Sequence, residues 1–492
     1  MFARPVITLF LVIGPVLLAG PVAAQDERRQ VSELLRGSRF DEALSRLEPL
    51  LETSPQNSAL LTLRGMALLG LGRQEDAAAS LHEALSRNPD YLPALQMLVQ
   101  VEFAARDENA AATLAKIVAL RPDDAGAHAM LADLAAERQD CATALTHFEK
   151  ARPAFNQNPS RLWPQAACLF ETGRLAEAEE AYRLILNTHQ EDSQARFNLA
   201  LTQFRRQDYR TAAQTLAPAA NIEATSEPDV LSLLADAYEG AGQIPEALKT
   251  LQRAVKIHPS EEQLYLQLAE LCVSQGSYDL ADEVLEAALL RLGSSPRLYA
   301  MRGVVYSQLG QFEQSEKAFE QASLLNAGNE MTTMGLTLTL EQGGRFDEAV
   351  ELLREQLRKS PQQPTLNYML AQALLKQGAE PGQDAFEEAQ RALEISVEND
   401  PNRSHPRVTL GQLYLRSGEL TAAIAQLERA IELDPTDSTA GYQLAMAFLK
   451  AGRKDEAAAL VEKVRHLVNE ERQSELAKGR HRLMRAESPS QP

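Results

Sequence analysis

Large rings are scarce in this sequence. Aromatic residues make up 5% of its 492 positions, and there is one tryptophan, Trp163. A core built from aromatic blocks is excluded, so smaller apolar side chains must carry most of the packing within the 45% hydrophobic fraction. Cysteine is scarcer still: Cys141, Cys168 and Cys272 are too few for a disulfide framework. Positive charge is in deficit, with 49 Lys and Arg against 68 Asp and Glu and a net charge of -19. A nucleic-acid binder needs a basic stripe to displace counterions from phosphates, and docking on anionic lipid needs a basic surface, so both classes are disfavoured. Gly (25) and Pro (24) are at ordinary levels, which argues against a collagen-like or broadly disordered chain. Length alone would suggest about three domains of roughly 150 residues, because single cores stop growing near about 250–300 residues.

The longest uncharged run lies at the start. Met1 to Arg4 is a short positive segment, Pro5 to Gly20 is apolar, and Val22 and Ala24 supply small residues three and one positions before Gln25. The pattern resembles a secretory signal peptide over residues 1–24. An uncleaved anchor is the alternative, but the run is short of about 20 residues and is broken by Gly14-Pro15. No cysteine stands at the cleavage point, so no lipoprotein anchor is expected. No later run approaches membrane length. The expected mature protein is exported, periplasmic or secreted, with no integral span after cleavage.

What the rest of the chain has is periodicity. Leu231, Leu234, Ala235, Tyr238, Gly242, Ala247, Leu251, Ala254 and Pro259 recur with identical spacing as Arg407, Leu410, Gly411, Tyr414, Gly418, Ala423, Leu427, Ala430 and Pro435. Leu61, Arg64, Gly65, Leu68, Gly72, Ala77, Leu81, Ala84 and Pro89 form a third copy. One small residue marks each of thirteen units: Ala43, Ala77, Ala110, Ala144, Ala178, Ala212, Ala247, Ala281, Ser315, Ala349, Ala389, Ala423 and Ala457. Most steps are 34 residues; the exceptions are 33, 35 and 40. The 34-residue period and the order of large, small, aromatic, Gly, small and Pro positions resemble the tetratricopeptide repeat family.

That resemblance implies an all-α fold: a right-handed superhelical solenoid of about 13 helix-turn-helix repeats over residues 25–464. Each repeat has a helix A and a helix B, too short to persist alone in water, and stacking builds one continuous core. Small residues at the eighth and twentieth positions let the two helices approach. The first and tenth units depart from the pattern; the tenth has Thr333 and Thr337 where a large and a small residue belong. The eleventh carries about six extra residues, Ala379 to Asp384, in its A–B turn. Residues 465–487 are expected to form a capping helix, locally basic at Lys478, Arg480, Arg482 and Arg485, and 488–492 a disordered tail.

No catalytic constellation emerges. No two of the eight histidines stand three to five residues apart, and there is no phosphate loop or nucleophile elbow. No segment outside the repeats is large enough for a catalytic domain, so no enzyme activity, cofactor or metal is expected. His82, His147, His189, His258 and His466 fall on or at the end of B helices and are read as solvated or capping. Cys272 takes a core position. Cys141 and Cys168 sit where antiparallel stacking brings two helix ends together, either as a disulfide in an oxidising compartment or as two separate thiols.

In the family, helix A exposes its second, fifth, ninth, twelfth and thirteenth positions toward the concave side. Applied here, units five and six place Trp163, Phe170, Phe197, Leu201, Phe204 and Arg205 on that face, and unit seven places Asp229, Asp236 and Glu239 there with Ser232. Aromatic and arginine side chains are typical of binding hot spots, so these nine residues are the expected partner-binding set. A second patch comprises Met331, Met334, Tyr368, His405, Tyr442 and Met446. The clamp by which some relatives grip acidic chaperone tails is not matched, since unit seven is acidic. The expected function is a non-enzymatic protein–protein interaction scaffold of the cell envelope, with secretion or assembly components as partners and a homo-oligomer open. The alternative is a receptor for a carbohydrate or other small ligand stacked on Trp163 and Phe170.

Overall fold

A computed structural model describes residues 22–155, 162–220, 227–326 and 329–486. The signal segment lies outside these residues up to position 21, as does the tail from 487; the first described helix begins at Val22. Among the described residues every regular element is α-helical, from Val22–Arg36 to Lys454–Ala486, and the twenty-six helices form thirteen A–B pairs. The chain divides into two compact halves, Met1–Ala247 and Leu248–Pro492.

Helix starts follow from local chemistry. The first amides of a helix have no carbonyl within it, so a short polar side chain just before them supplies the acceptor. Asn57 accepts from the amides of Ala59 and Leu60 at 3.1 and 3.3 Å, and Asp437 from those of Thr439 and Ala440 at 2.8 and 2.9 Å. Asp124, Asp192, Ser295 and Asn329 cap other A helices in the same way.

Helix A ends by one device throughout. All thirteen A–B turns pass through a residue of positive φ. Nine use glycine, as at Gly242 (73°) and Gly418 (86°), where the absent Cβ removes the clash with the backbone. Units one, three, four and six hold the same conformation with Ser38, Arg106, Gln139 and Gln207, at φ from 55° to 62°.

The marker residues of the thirteen B helices are all buried, none more than 1% exposed. Close approach is visible at Gly411, where a Cβ would lie 2.6 Å from Leu427 Cγ on the paired B helix. The eighth position therefore meets the twenty-fourth, one turn beyond the twentieth. Each repeat also packs on the next. In the C-terminal half, Leu410 and Leu413 of unit twelve join the cluster of Leu370, Leu374, Phe386 and Leu393 from unit eleven.

The tenth unit keeps the fold by other chemistry. Its A helix, Glu330–Gln342, buries Thr332, Thr333, Thr337 and Thr339. Thr333, Thr337 and Thr339 donate to the carbonyls of Asn329, Thr333 and Gly335, four residues back, and Thr339 also shares a 2.8 Å hydrogen bond with the hydroxyl of Ser315 in the preceding repeat. Gly303 of unit nine and Gly335 of unit ten both abut the ring of Phe319, so the tenth repeat makes room for the large ring of its neighbour. The insertion of the eleventh unit forms the turn before Asp384–Asn399. Ala379 is buried there, and its carbonyl accepts from Arg416 of the next unit at 3.0 Å.

Two expectations change. The segment expected as a separate cap at 465–487 continues the last B helix: Lys454–Ala486 is one helix of 33 residues. No glycine or proline stands between Lys454 and Lys478, so nothing stops the helix after the usual 14 residues. His147 is not a solvated histidine. It is half-buried and its Nδ1 lies 2.9 Å from Nδ1 of the fully buried His128. Of the cysteines, Cys272 is buried and free, its thiol pKa pushed up by burial, and Cys141 and Cys168 form a disulfide with Cα atoms 4.9 Å apart.

Candidate functional site: the exposed face of the A helices

The A helices form the face on which the expected site lies. Within the C-terminal half successive A helices touch one another: Glu262–Ser274 with Pro296–Gln308, that helix with Glu330–Gln342, and Ser404–Ser417 with Ser438–Lys450. Side chains leaving this row can share one ligand across several repeats.

In the N-terminal half the expected aromatic residues are half-buried rather than open. Trp163, on Leu162–Glu171, packs edge-on against Tyr182 of the paired B helix, with ring centroids 5.8 Å apart. Tyr182 is buried, which pushes its phenol pKa up to about 12. Phe170 lies under the guanidinium of Arg205, 4.2 Å from the ring centroid. Phe204 turns to Tyr209 at the start of the next helix, 5.1 Å away. The set is thus split: Phe170 and Arg205 are brought together, while Trp163 and Phe204 close against their own repeats. Phe197 and Leu201 are half-buried on Ser193–Arg205. On Pro228–Gly240, Asp229 and Glu239 are exposed and Asp236 is half-buried.

A carboxylate absent from the expected set ties units five and six together. Glu179 is buried on Leu175–Thr188 and pairs with Arg183 at 2.5 Å and with Arg206 of the following repeat. Gln203 donates to the same carboxylate at 3.2 Å. A buried carboxylate is tolerated only with such partners, so these residues read as repeat coupling.

Arg205 belongs to a recurring arrangement. It occupies the thirteenth position, and the cations at that position in units eleven to thirteen also reach back to the preceding repeat. Lys376 pairs with Glu341 at 2.6 Å, Arg416 donates to the carbonyl of Ala379, and Lys450 donates to the carbonyl of Leu415 at 3.1 Å. Lys450 thereby meets a carbonyl in the last turn of the preceding helix, where unpaired carbonyls carry partial negative charge. Sequence spacing could have shown this, because Arg205, Lys376, Arg416 and Lys450 share one register position.

The second patch is the more open one. Among the described residues the large apolar side chains exposed on A helices are Val304, Met331, Leu338, Tyr442 and Leu449, all in the C-terminal half. Met331 is 73% and Tyr442 54% exposed. All five fall at positions two, five, nine or twelve of their repeats. Tyr368 and His405 line a polar groove with Gln412, Asp434 and Thr436. Asp434 is held below the usual carboxylate range by hydrogen bonds from the hydroxyl and amide of Thr436.

Among the described residues no group of three or more His, Cys, Asp or Glu is placed to hold a metal ion, and no helix is long and apolar enough to cross a membrane. Comparison with known proteins agrees with the repeat geometry. Residues 34–102, 368–437 and 408–470 match family models described as tetratricopeptide repeat. Residues 180–373 match that of the C-terminal ARM domain of tetratricopeptide repeat protein 21. Among solved structures, yeast Tom70 is 17% identical with a TM-score of 0.43, over 94% of this chain and 96% of that one. A tetratricopeptide repeat protein from Parabacteroides merdae is 15% identical with a TM-score of 0.39, over 59% of this chain and 99% of that one. The 34-residue register, the thirteen buried markers of the B helices and the family matches at both ends of the repeat array establish that this chain belongs to the tetratricopeptide repeat family.

Proposed function

We propose that this protein is a non-enzymatic scaffold of the cell envelope that binds segments of other proteins along the exposed face of its A helices. The observation that carries the reading is the open apolar row of Val304, Met331, Leu338, Tyr442 and Leu449. Clusters of large exposed apolar side chains on one face of a soluble protein commonly mark a surface that a partner covers. Export is supported by the leader-like residues 1–24 and by the Cys141–Cys168 disulfide, which is kept in oxidising compartments. Envelope assembly or secretion components are the class of partner that such a location supplies.

The test is crosslinking in the native host followed by mass spectrometry, comparing wild type with Trp163→Ala/Phe197→Ala and with Tyr442→Ser/Leu449→Ser. Loss of a protein crosslink in either double variant supports the scaffold; unchanged crosslinks in both would sink it. Sequencing the N-terminus of the mature protein should read from Gln25, and an intact Met1 in an envelope fraction would contradict cleavage. The polar groove at Tyr368, His405 and Asp434 supports a second reading, a carbohydrate receptor. Thermal shifts with oligosaccharides test it, and a ligand-dependent rise lost in Tyr368→Ala would favour it.

A further inference from the structure

The charge of the A-helix face reverses between units four to seven and units eight to thirteen. At the five outward positions, units four to seven carry Asp133, Glu137, Glu171, Asp229, Asp236 and Glu239 against one cation, Arg205. Units eight to thirteen carry Arg297, Lys376, Arg416 and Lys450 against Glu270 and Glu341. A net positive row in a chain of net charge -19 runs against the composition of the whole.

Local pairing consumes only part of that charge. Lys376 is neutralised by Glu341, and Arg297 lies 3.5 Å from Glu262. Arg416 and Lys450 instead donate to the carbonyls of Ala379 and Leu415. A carbonyl satisfies an N–H but carries no net charge, so neither cation is neutralised there, and the guanidinium of Arg416 also lies 5.3 Å from the centroid of the Phe386 ring. Both side chains are exposed. Leu449 precedes Lys450 in sequence, and Tyr442 lies two helical turns earlier on the same helix; both are exposed. Apolar surface and uncompensated cations thus share the face of units twelve and thirteen.

We propose that this face of the C-terminal half docks an acidic polypeptide segment whose Asp or Glu residues alternate with aliphatic or aromatic anchors. The inference rests on the scaffold reading and adds the sign of the partner's charge and the place it binds. Rings or branched chains of the segment cover Tyr442 and Leu449, and its carboxylates pair with Arg416 and Lys450. At the same positions units four to seven are net acidic in sequence and offer such a segment no matching charge, so the sign of the face adds to specificity.

The experiment uses the full mature chain and three fluorescein-labelled twelve-residue peptides, followed by anisotropy. One alternates Glu and Asp with Leu and Phe; one replaces the acids by Lys and Arg; one keeps the acids and replaces Leu and Phe by Ser. The first should bind at least about tenfold more tightly than the other two, and more weakly as salt rises. Arg416→Gln/Lys450→Gln keeps an N–H donor for each carbonyl but removes both charges. It should weaken the acidic peptide about tenfold or more with the helical circular dichroism and melting temperature unchanged. Tyr442→Ser/Leu449→Ser should do the same without altering the salt dependence. Equal binding of the acidic and basic peptides, no binding of the acidic peptide, or binding indifferent to both double variants overturns the proposal. If native crosslinks still map to Tyr442 and Leu449 while the acidic peptide fails, the charge assignment falls and the scaffold reading stands.

Discussion

At the scale of single residues, the A–B turns show where sequence and backbone disagree. Gln207 sits at φ 62° in a position that nine other repeats fill with glycine. A Cβ in that region costs roughly 1–2 kcal/mol, and the greater freedom of glycine in the unfolded chain returns part of it. Gln207→Gly should therefore stabilise the protein by about 0.5–1 kcal/mol, seen as a higher urea midpoint; a lower midpoint would mean that the Gln207 side chain contributes contacts worth more than the strain. The His128–His147 pair gives a pH dependence. His128 Nε2 lies 2.8 Å from the carbonyl of Pro122, which can only accept, so that nitrogen carries the proton and His128 Nδ1 accepts from His147 Nδ1. Burial, then His128, then Lys150 lower the pKa of His147 below its ordinary value. The unfolded state consequently binds the proton more readily than the folded state. Stability from this residue is present above the unfolded value near 6.5 and is lost as pH falls. Urea midpoints measured from pH 7.5 to 5.5 should decline, and His147→Gln should flatten the decline. An equal slope in the variant would remove His147 as the cause. Buried Glu102 acts with the opposite sign, its carboxyl raised by burial, so the comparison of slopes is what isolates the histidine.

Among the helices, the disulfide is the one covalent tie between repeats. It joins the start of Cys141–Phe155 to Leu162–Glu171 and spans 27 residues of chain. Closing a loop of that length stabilises the folded state by about 3–4 kcal/mol in the chain-entropy estimate. Reduction should lower the melting temperature of the N-terminal half and add two hydrogens to the intact mass. A mass unchanged by reductant would show two free thiols instead. The register brought the start of one B helix beside the end of the next A helix and left a disulfide and two separate thiols both open; the structure holds the disulfide. The tenth repeat was less legible. Its threonines look like a broken pattern in sequence, yet the hydroxyls of Thr333, Thr337 and Thr339 find carbonyls one turn back and Gly335 makes room for Phe319.

For the molecule as a whole, stability is a sum of neighbours. A repeat contacts the repeats beside it, so damage at one end should stay local. Ala440, Leu444, Ala447 and Phe448 of unit thirteen cover Val408, Leu415, Leu427 and Ala430 of unit twelve. Deleting residues 438–492 should therefore raise amide exchange in unit twelve while units two to four keep their protection. Uniform loss along the chain would show long-range cooperativity that nearest-neighbour stacking does not provide.

The sequence by itself determined the repeat number, the pairing of helices, the small residues at their contacts and the family, because each depends on contacts within about one 34-residue period. The family resemblance supplied a list of outward positions, yet Leu266, Val408 and Leu415 at those positions are buried. Whether an outward side chain is open or covered was decided only by the tertiary structure, because that depends on side chains of the paired helix and of the neighbouring repeat. Trp163 is covered by Tyr182 and Phe170 by Arg205, whereas Met331 and Tyr442 meet nothing comparable. The last helix shows the same division: its apolar spacing predicted a helix, but its unbroken run to Ala486 reflects the absence of a turn residue after the thirteenth repeat.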